Sequence, residues 1–285
     1  MNAPAPALVR PSLVEDEDLQ ASPLVAWILD VELPRPMHRD RFLPLFPPPW
    51  RLDANVSLHA FCPDTGLWTY PDSAGMPERY TRLQLAVALV GGEERDEEGL
   101  AALLAEVRGR LAGAGITEVT PRTAVADAVA RAEVLEKLVD DLEEAHAGVL
   151  LAAADGASFA LADMRRVGEA LRLAEGDLED GFAWLNRPDA PGDEALFTMV
   201  PELAGGRIVA LRFALHVGRT AAPVAVFDQL LAAAQYARGE LGGDLAGLEG
   251  EPFDADASRA WIERVVGRLR AAGLEPGAHA TMTVL

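Results

Sequence analysis

A chain of 285 residues, half of them apolar, has room for two domains of ordinary size with a core in each. Its 45 acidic against 25 basic residues give a formal net charge of −20. That argues against a nucleic-acid surface, which needs a Lys/Arg stripe, and against an anionic membrane. The single cysteine, Cys62, excludes an intrachain disulfide and a cysteine-built metal cluster, and fits a reducing cytoplasm.

In chain order, residues 1–22 are rich in Pro, Ala and acid and read as a disordered tail. They lack the charged region and apolar core of a signal peptide. No apolar run approaches the ~20 residues that span a bilayer, so a soluble chain is expected. Residues 24–33 alternate as a strand, and 36–46 read as a short helix with Phe42, Leu43 and Phe46 inward, stopped by Pro47-Pro-Pro49. Strands are expected at 55–61, 67–70 and 80–90, with a turn at 62–66. The acidic run 91–98 suits a helix start, because carboxylates complement the dipole there; it lacks the spacing of a calcium loop. That helix should run to about Ala112, and a second from Thr123 to Glu144.

With no Gly/Ser linker, the boundary falls near residue 145, giving domains over 23–145 and 146–285. A strand is expected at 148–154, a helix at 161–174 carrying Met164, Val167 and Leu171 inward, and a strand at 181–186. A hairpin loop should cover 187–193, followed by a strand at 195–200 broken at Pro201. The stretch Val209-Ala-Leu-Arg-Phe-Ala-Leu-His-Val217 alternates most clearly. Leu211, Phe213, Leu215 and Val217 point one way; Arg212, Ala214 and His216 point the other. The helix after Pro223 carries an apolar stripe of Val224, Phe227, Leu230, Leu231 and Ala234. One sheet face is therefore covered by a helix and the other is open. A Gly-rich loop to Gly250, a helix capped by Asp254 or Asp256, and an edge strand at 279–285 complete the reading.

The plan occurs twice. Arg82-Leu-Gln-Leu-Ala-Val-Ala-Leu-Val90 matches 209–217 with Val90 on Val217, and at the same offset Leu103 falls on Leu230. Residues 58–64 match 183–189, and Leu67-Trp-Thr-Tyr70 matches Leu196-Phe-Thr-Met199. Self-similarity at this length indicates a duplicated domain; chance agreement of Ala/Leu-rich helices is the plainer alternative.

No catalytic signature is present. The five histidines are scattered, with no i+3 or i+4 histidine pair for a metal. Neither a Gly-x-Ser-x-Gly elbow nor a P-loop occurs. Cys62, before a Pro-Asp turn, reads as a small half-buried residue, and acid pairs such as Asp140-Asp141 as the solvent side of a helix.

The second half resembles the C-terminal FtsZ-binding domain of the ZipA cell-division family. The residues that carry this are Ala195-Leu-Phe-Thr-Met199, 209–217, the helix ending Gly239-Glu-Leu-Gly-Gly243, and the closing helix from Asp254. The first half joins through the repeat. The resemblance implies an α+β fold: two tandem domains of split β-α-β type, each an antiparallel sheet with helices on one face. It also implies that the open face takes the C-terminal tail of FtsZ, the tubulin-like protein of the division ring. The positions matched to that groove are Thr198, Val200, Arg212, Ala214 and His216, smaller or more polar than the family's large apolar residues. In the first half they are Thr69, Leu85, Val87 and Leu89. Leu85, Val87 and Leu89 left in water would forgo roughly 1.5–3 kcal/mol each, so either a tail or the other half should cover them. Arg212 is placed to pair with a peptide carboxylate. The family's N-terminal membrane anchor is missing from this sequence.

The expectation is a non-enzymatic binding module that supports septum assembly. It would be cytoplasmic, with recruitment to the division site at the inner membrane, and without cofactor, metal, nucleic-acid partner or small-molecule substrate. The rival is a scaffold whose two sheet faces pack together and which binds another protein or none; an enzyme with a site assembled from distant residues is the third.

Overall fold

The computed structural model describes residues 4–11, 19–91, 95–176, 181–185 and 195–285. The fold is α+β, with two antiparallel sheets in two compact units. One unit spans Val14–Asp140. The other spans Asp141–Thr283, and residues 4–11 group with it.

The N-terminal unit opens with β1 (Ala26–His38). Two short 3-10 turns follow, then α1 (Pro48–Asp53). The expected helix over 36–46 is thus strand and 3-10 turn, although Phe42 and Phe46 are fully buried as anticipated. The prolines meant to stop a helix instead start one, because the first helical turn needs no N–H from them. Next come β2 (Val56–Cys62), β3 (Leu67–Thr69) and β4 (Arg79–Ala88). Then α2 (Glu97–Ala112) begins at Asp96, whose side chain accepts the Gly99 N–H at 2.7 Å. The expected acidic helix start lies partly outside the described residues, at 92–94. A short return strand, β5 (Val119–Pro121), and α3 (Val125–Leu142) complete the unit.

The sheet order is β3-β2-β4-β1-β5. Its odd-numbered face on β1 and β4 (Trp27, Leu29, Val31, Leu83, Leu85, Val87) is buried to 1 % exposure or less, with Leu58 and Ala60 of β2 beside it. Leu100, Val107 and Leu111 form the buried stripe of α2, and Trp27 donates its indole N–H to the Thr123 carbonyl just before α3.

The C-terminal unit runs β6 (His146–Ala152), α4 (Leu161–Ala170), β7 (Ala174–Glu175), β8 (Phe182–Leu185), β9 (Ala195–Ala204) and β10 (Arg207–His216). It continues through α5 (Pro223–Leu241), β11 (Asp244–Ala246), α6 (Ala255–Ala271) and α7 (His279–Val284). The sheet order is β11-β6-β10-β9-β8-β7. The expected hairpin loop at 187–193 lies outside the described residues.

Helix α5 lies on β6, β10 and β9, and α6 lies on α5 and β6. The buried residues of α5, led by Phe227, Leu230 and Ala234, meet Leu211, Phe213, Leu215 and Val217, which are 0–2 % exposed. The alternation read from this strand is therefore the alternation of the fold. Two expectations fail here. The strand β9 runs through Pro201, which stands opposite Leu211 next to an irregularity at Ile208/Ala210. The C-terminal segment is helical, not an edge strand: Thr283 bonds back to the His279 carbonyl, and the Thr281 hydroxyl ties to Glu275.

Candidate functional site

In the C-terminal unit, the sheet face turned away from α5 carries Arg212, Ala214 and His216 on β10, with Thr198 and Val200 opposite on β9. On the other side Leu150, Gly148 and His146 of β6 stand opposite the same three residues. Thr198, Val200, Arg212, Ala214 and His216 are all half-buried, and the register brings them together on one surface.

Arg212 is not a free cation. Its guanidinium reaches Glu202 at 2.7 Å and donates to the Leu248 carbonyl at 3.3 Å, fixing the loop after β11 to the sheet. The His216 ring accepts the Arg219 backbone N–H on Nδ1 and meets the Glu143 carbonyl through Nε2. That pattern selects the neutral ring protonated on Nε2. Burial holds its pKa below the ordinary histidine value; the Glu143 carbonyl opposes the shift, and His146 and Arg219 add to it. The His146 and His216 rings meet edge-on at 5.1 Å.

Beside His146 and Gly148 a cleft of about 310 Å³ opens between β6, loop 247–253 and the start of α6, lined in part by Leu248, Pro252, Phe253 and Trp261. Sequence reasoning missed this cleft and the β6 residues beside it. The signal was an aromatic pair, Phe253 and Trp261, flanking the Asp254 cap.

The N-terminal unit differs. Leu85, Val87 and Leu89, expected on an open face, are 0–1 % exposed on the helix side of their sheet. The physical reason is register. Aligning Val90 with Val217 shifts the strand by one residue, and a one-residue slip sends every side chain to the opposite face. Thr69 stands opposite Ala60, also on the helix side, and donates to the Tyr80 hydroxyl at 3.4 Å.

The true second face of this sheet carries Ile28, Asp30, Ser57, His59, Phe61, Arg82, Gln84 and Ala86. It is occupied. Of the tail expected over 1–22, residues 19–22 are described and lie across it. Ala21 packs on Ile28 and Ala86, and donates its N–H to Gln84 Oε1 at 3.3 Å. The Leu19 carbonyl accepts from His59 Nδ1 at 2.6 Å. In the C-terminal unit, residues 4–11 also make contacts: Val9 N–H donates to Gln229 and Arg10 to the Leu185 carbonyl.

Among the described residues no cluster of three or more His, Cys, Asp or Glu side chains is placed to hold a metal, and no helix is long and apolar enough to cross a membrane. No family model matches the chain, and a comparison with curated proteins returns no match.

Proposed function

We propose that this protein is a non-enzymatic binding module that takes an extended polypeptide segment on the open face of its C-terminal sheet. The observation that carries the reading is a half-exposed strip of small and polar side chains (Thr198, Val200, Ala214, His216) running beside a cleft edged by Phe253 and Trp261. Peptides held on such surfaces anchor one or two apolar side chains in a pocket and satisfy their polar groups along the groove. Arg212, already paired with Glu202, shapes the groove by holding loop 247–253 and offers no free charge to a ligand. The ZipA resemblance supplies the ligand to try first, the C-terminal tail of FtsZ, and with it a role in septum assembly at the division site.

The test is titration of a labelled FtsZ tail peptide against the full chain and its Val200→Asp and Ala214→Asp variants. Saturable binding, weakened at least about tenfold in both variants, supports the reading. No binding at high micromolar peptide returns the chain to the scaffold reading.

A further inference from the structure

The second face of the N-terminal sheet is built in a way that the needs of a core do not explain. Gln84 and His59 sit in the middle of it at 1 % and 5 % exposure. Each offers one polar atom to backbone: Gln84 Oε1 to the Ala21 N–H, and His59 Nδ1 to the Leu19 carbonyl. Each is held from behind. Gln84 Nε2 donates to Asp30 at 2.9 Å, and Asp30 is gripped by Arg122 through both its oxygens at 2.7 and 3.0 Å. His59 Nε2 meets the Ser57 hydroxyl at 2.8 Å, and its ring packs on Tyr70 at 4.9 Å. With Ser57 accepted on Nε2, Nδ1 carries the proton that the Leu19 carbonyl receives. In the next row of the sheet, beside these polar groups, Ile28 and Ala86 form an apolar floor on which Ala21 rests, with Ala26 packed against the same cluster.

Oriented amide and imidazole groups that bond main-chain N–H and C=O, beside a spot occupied by a methyl group, are the elements of a polypeptide-binding groove. We infer that this face is a second polypeptide site, held shut by the chain's own residues 19–22, and that a segment in trans gains it only by displacing them. The occupant it fits is extended and has a small side chain at the position of Ala21. It presents a carbonyl two residues before that position and an N–H at it. The tether makes the internal occupant hard to beat. A strap joined directly to β1 acts at an effective concentration on the order of millimolar, so a free segment of equal intrinsic affinity competes only at that level.

This inference is independent of the C-terminal face, and its test keeps the two apart. A fluorescent peptide Leu-Gln-Ala-Ser-Pro-Leu-Val, the sequence of residues 19–25, is titrated into the full chain, an Ala21→Trp variant whose bulk cannot rest on Ile28 and Ala86, and a chain lacking residues 1–21. Strap release is read by amide exchange at positions 21 and 22 in the Ala21→Trp variant and is complete by design in the truncated chain. Folding of all three is checked by circular dichroism. Binding at least about tenfold tighter to the released forms than to the full chain, with a shift of the His59 ring proton on titration, is the expected result. It should be abolished by adding Gln84→Leu and be unaffected by Ala214→Asp. Folded, strap-free protein that binds the peptide no better than the full chain overturns the inference.

Discussion

The two sheets present the same kind of surface in opposite states. On the first strand of each, the residue that faces the middle of the non-helical side is Ile28 in one unit and Gly148 in the other, opposite Ala86 and Ala214 respectively. The N-terminal face has an apolar floor and fully buried polar groups, and the chain's own residues cover it. The C-terminal face has a glycine where the floor would be, half-exposed side chains and a cleft at its edge. Burial of Gln84 and His59 is tolerable because backbone partners accompany it. His216 reaches the same satisfaction locally, from Arg219 and Glu143. What a sheet face can bind thus depends less on its apolar area than on where its hydrogen-bonding capacity has already been used.

The sharpest way to break this contrast is to place a carboxylate on each central strand. Val87→Asp should cost more than about 4 kcal/mol and leave the N-terminal unit unfolded, since it buries an unpaired charge; Ala214→Asp should cost less than about 1 kcal/mol. Guanidinium titrations followed by tryptophan fluorescence compare them, and equal costs would refute the assignment of faces. Next in size is Gly148→Ala. A Cβ there would lie 2.0 Å from the Phe213 carbonyl oxygen, so β6 and β10 must separate. A loss of about 2–3 kcal/mol is expected in the same titration, and an unchanged midpoint would contradict the close approach.

Gln84→Leu removes the acceptor of the Ala21 N–H and the donor to Asp30, for about 1–2 kcal/mol. Arg212→Met, which breaks a half-exposed pair with Glu202 and one bond to the Leu248 carbonyl, should cost less than about 1 kcal/mol. Urea midpoints that reverse that order would show the C-terminal face to be the more constrained of the two.

The smallest effect is that of pH on His216. Its folded pKa is depressed, so as pH falls through the unfolded value of about 6.5 the unfolded chain takes up the proton first. Stability of the C-terminal unit is therefore full above that pH. It declines below it until the folded-state value is also passed. The melting temperature of His216→Gln should vary less between about pH 7.5 and about pH 5.5 than that of the parent chain; parallel profiles would remove His216 from the account.

Alternation made the C-terminal sheet readable, because Leu211, Phe213, Leu215 and Val217 are apolar while Arg212 and His216 are not. In β4 both faces carry apolar residues, Leu85 and Val87 on one and Ala86 and Ala88 on the other, so composition does not say which is outside, and the borrowed alignment decided wrongly. The short return strands β5 and β11 carry too few residues to show a period, and pairing with the first strand of their sheets makes them. The strap was hidden for another reason. Ala21 is one methyl group in a Pro- and acid-rich stretch, and what fixes it is the main chain, which sequence does not distinguish.

One topological difference bears on how the units form. In the C-terminal unit β8, β9 and β10 pair in the order in which they are made. In the N-terminal unit β4 pairs with β2, leaving β3 outside, so the chain must return past a strand already laid down. Neighbouring hairpins zip with little entropy lost at each step, whereas the return requires a longer loop to close before any contact rewards it. The meander β8-β9-β10 is accordingly expected to form before the β2–β4 pairing closes over β3. Stopped-flow refolding of single-tryptophan chains retaining Trp184 or Trp27 would resolve the two phases, and the order in which newly made protein acquires its surfaces would follow from them.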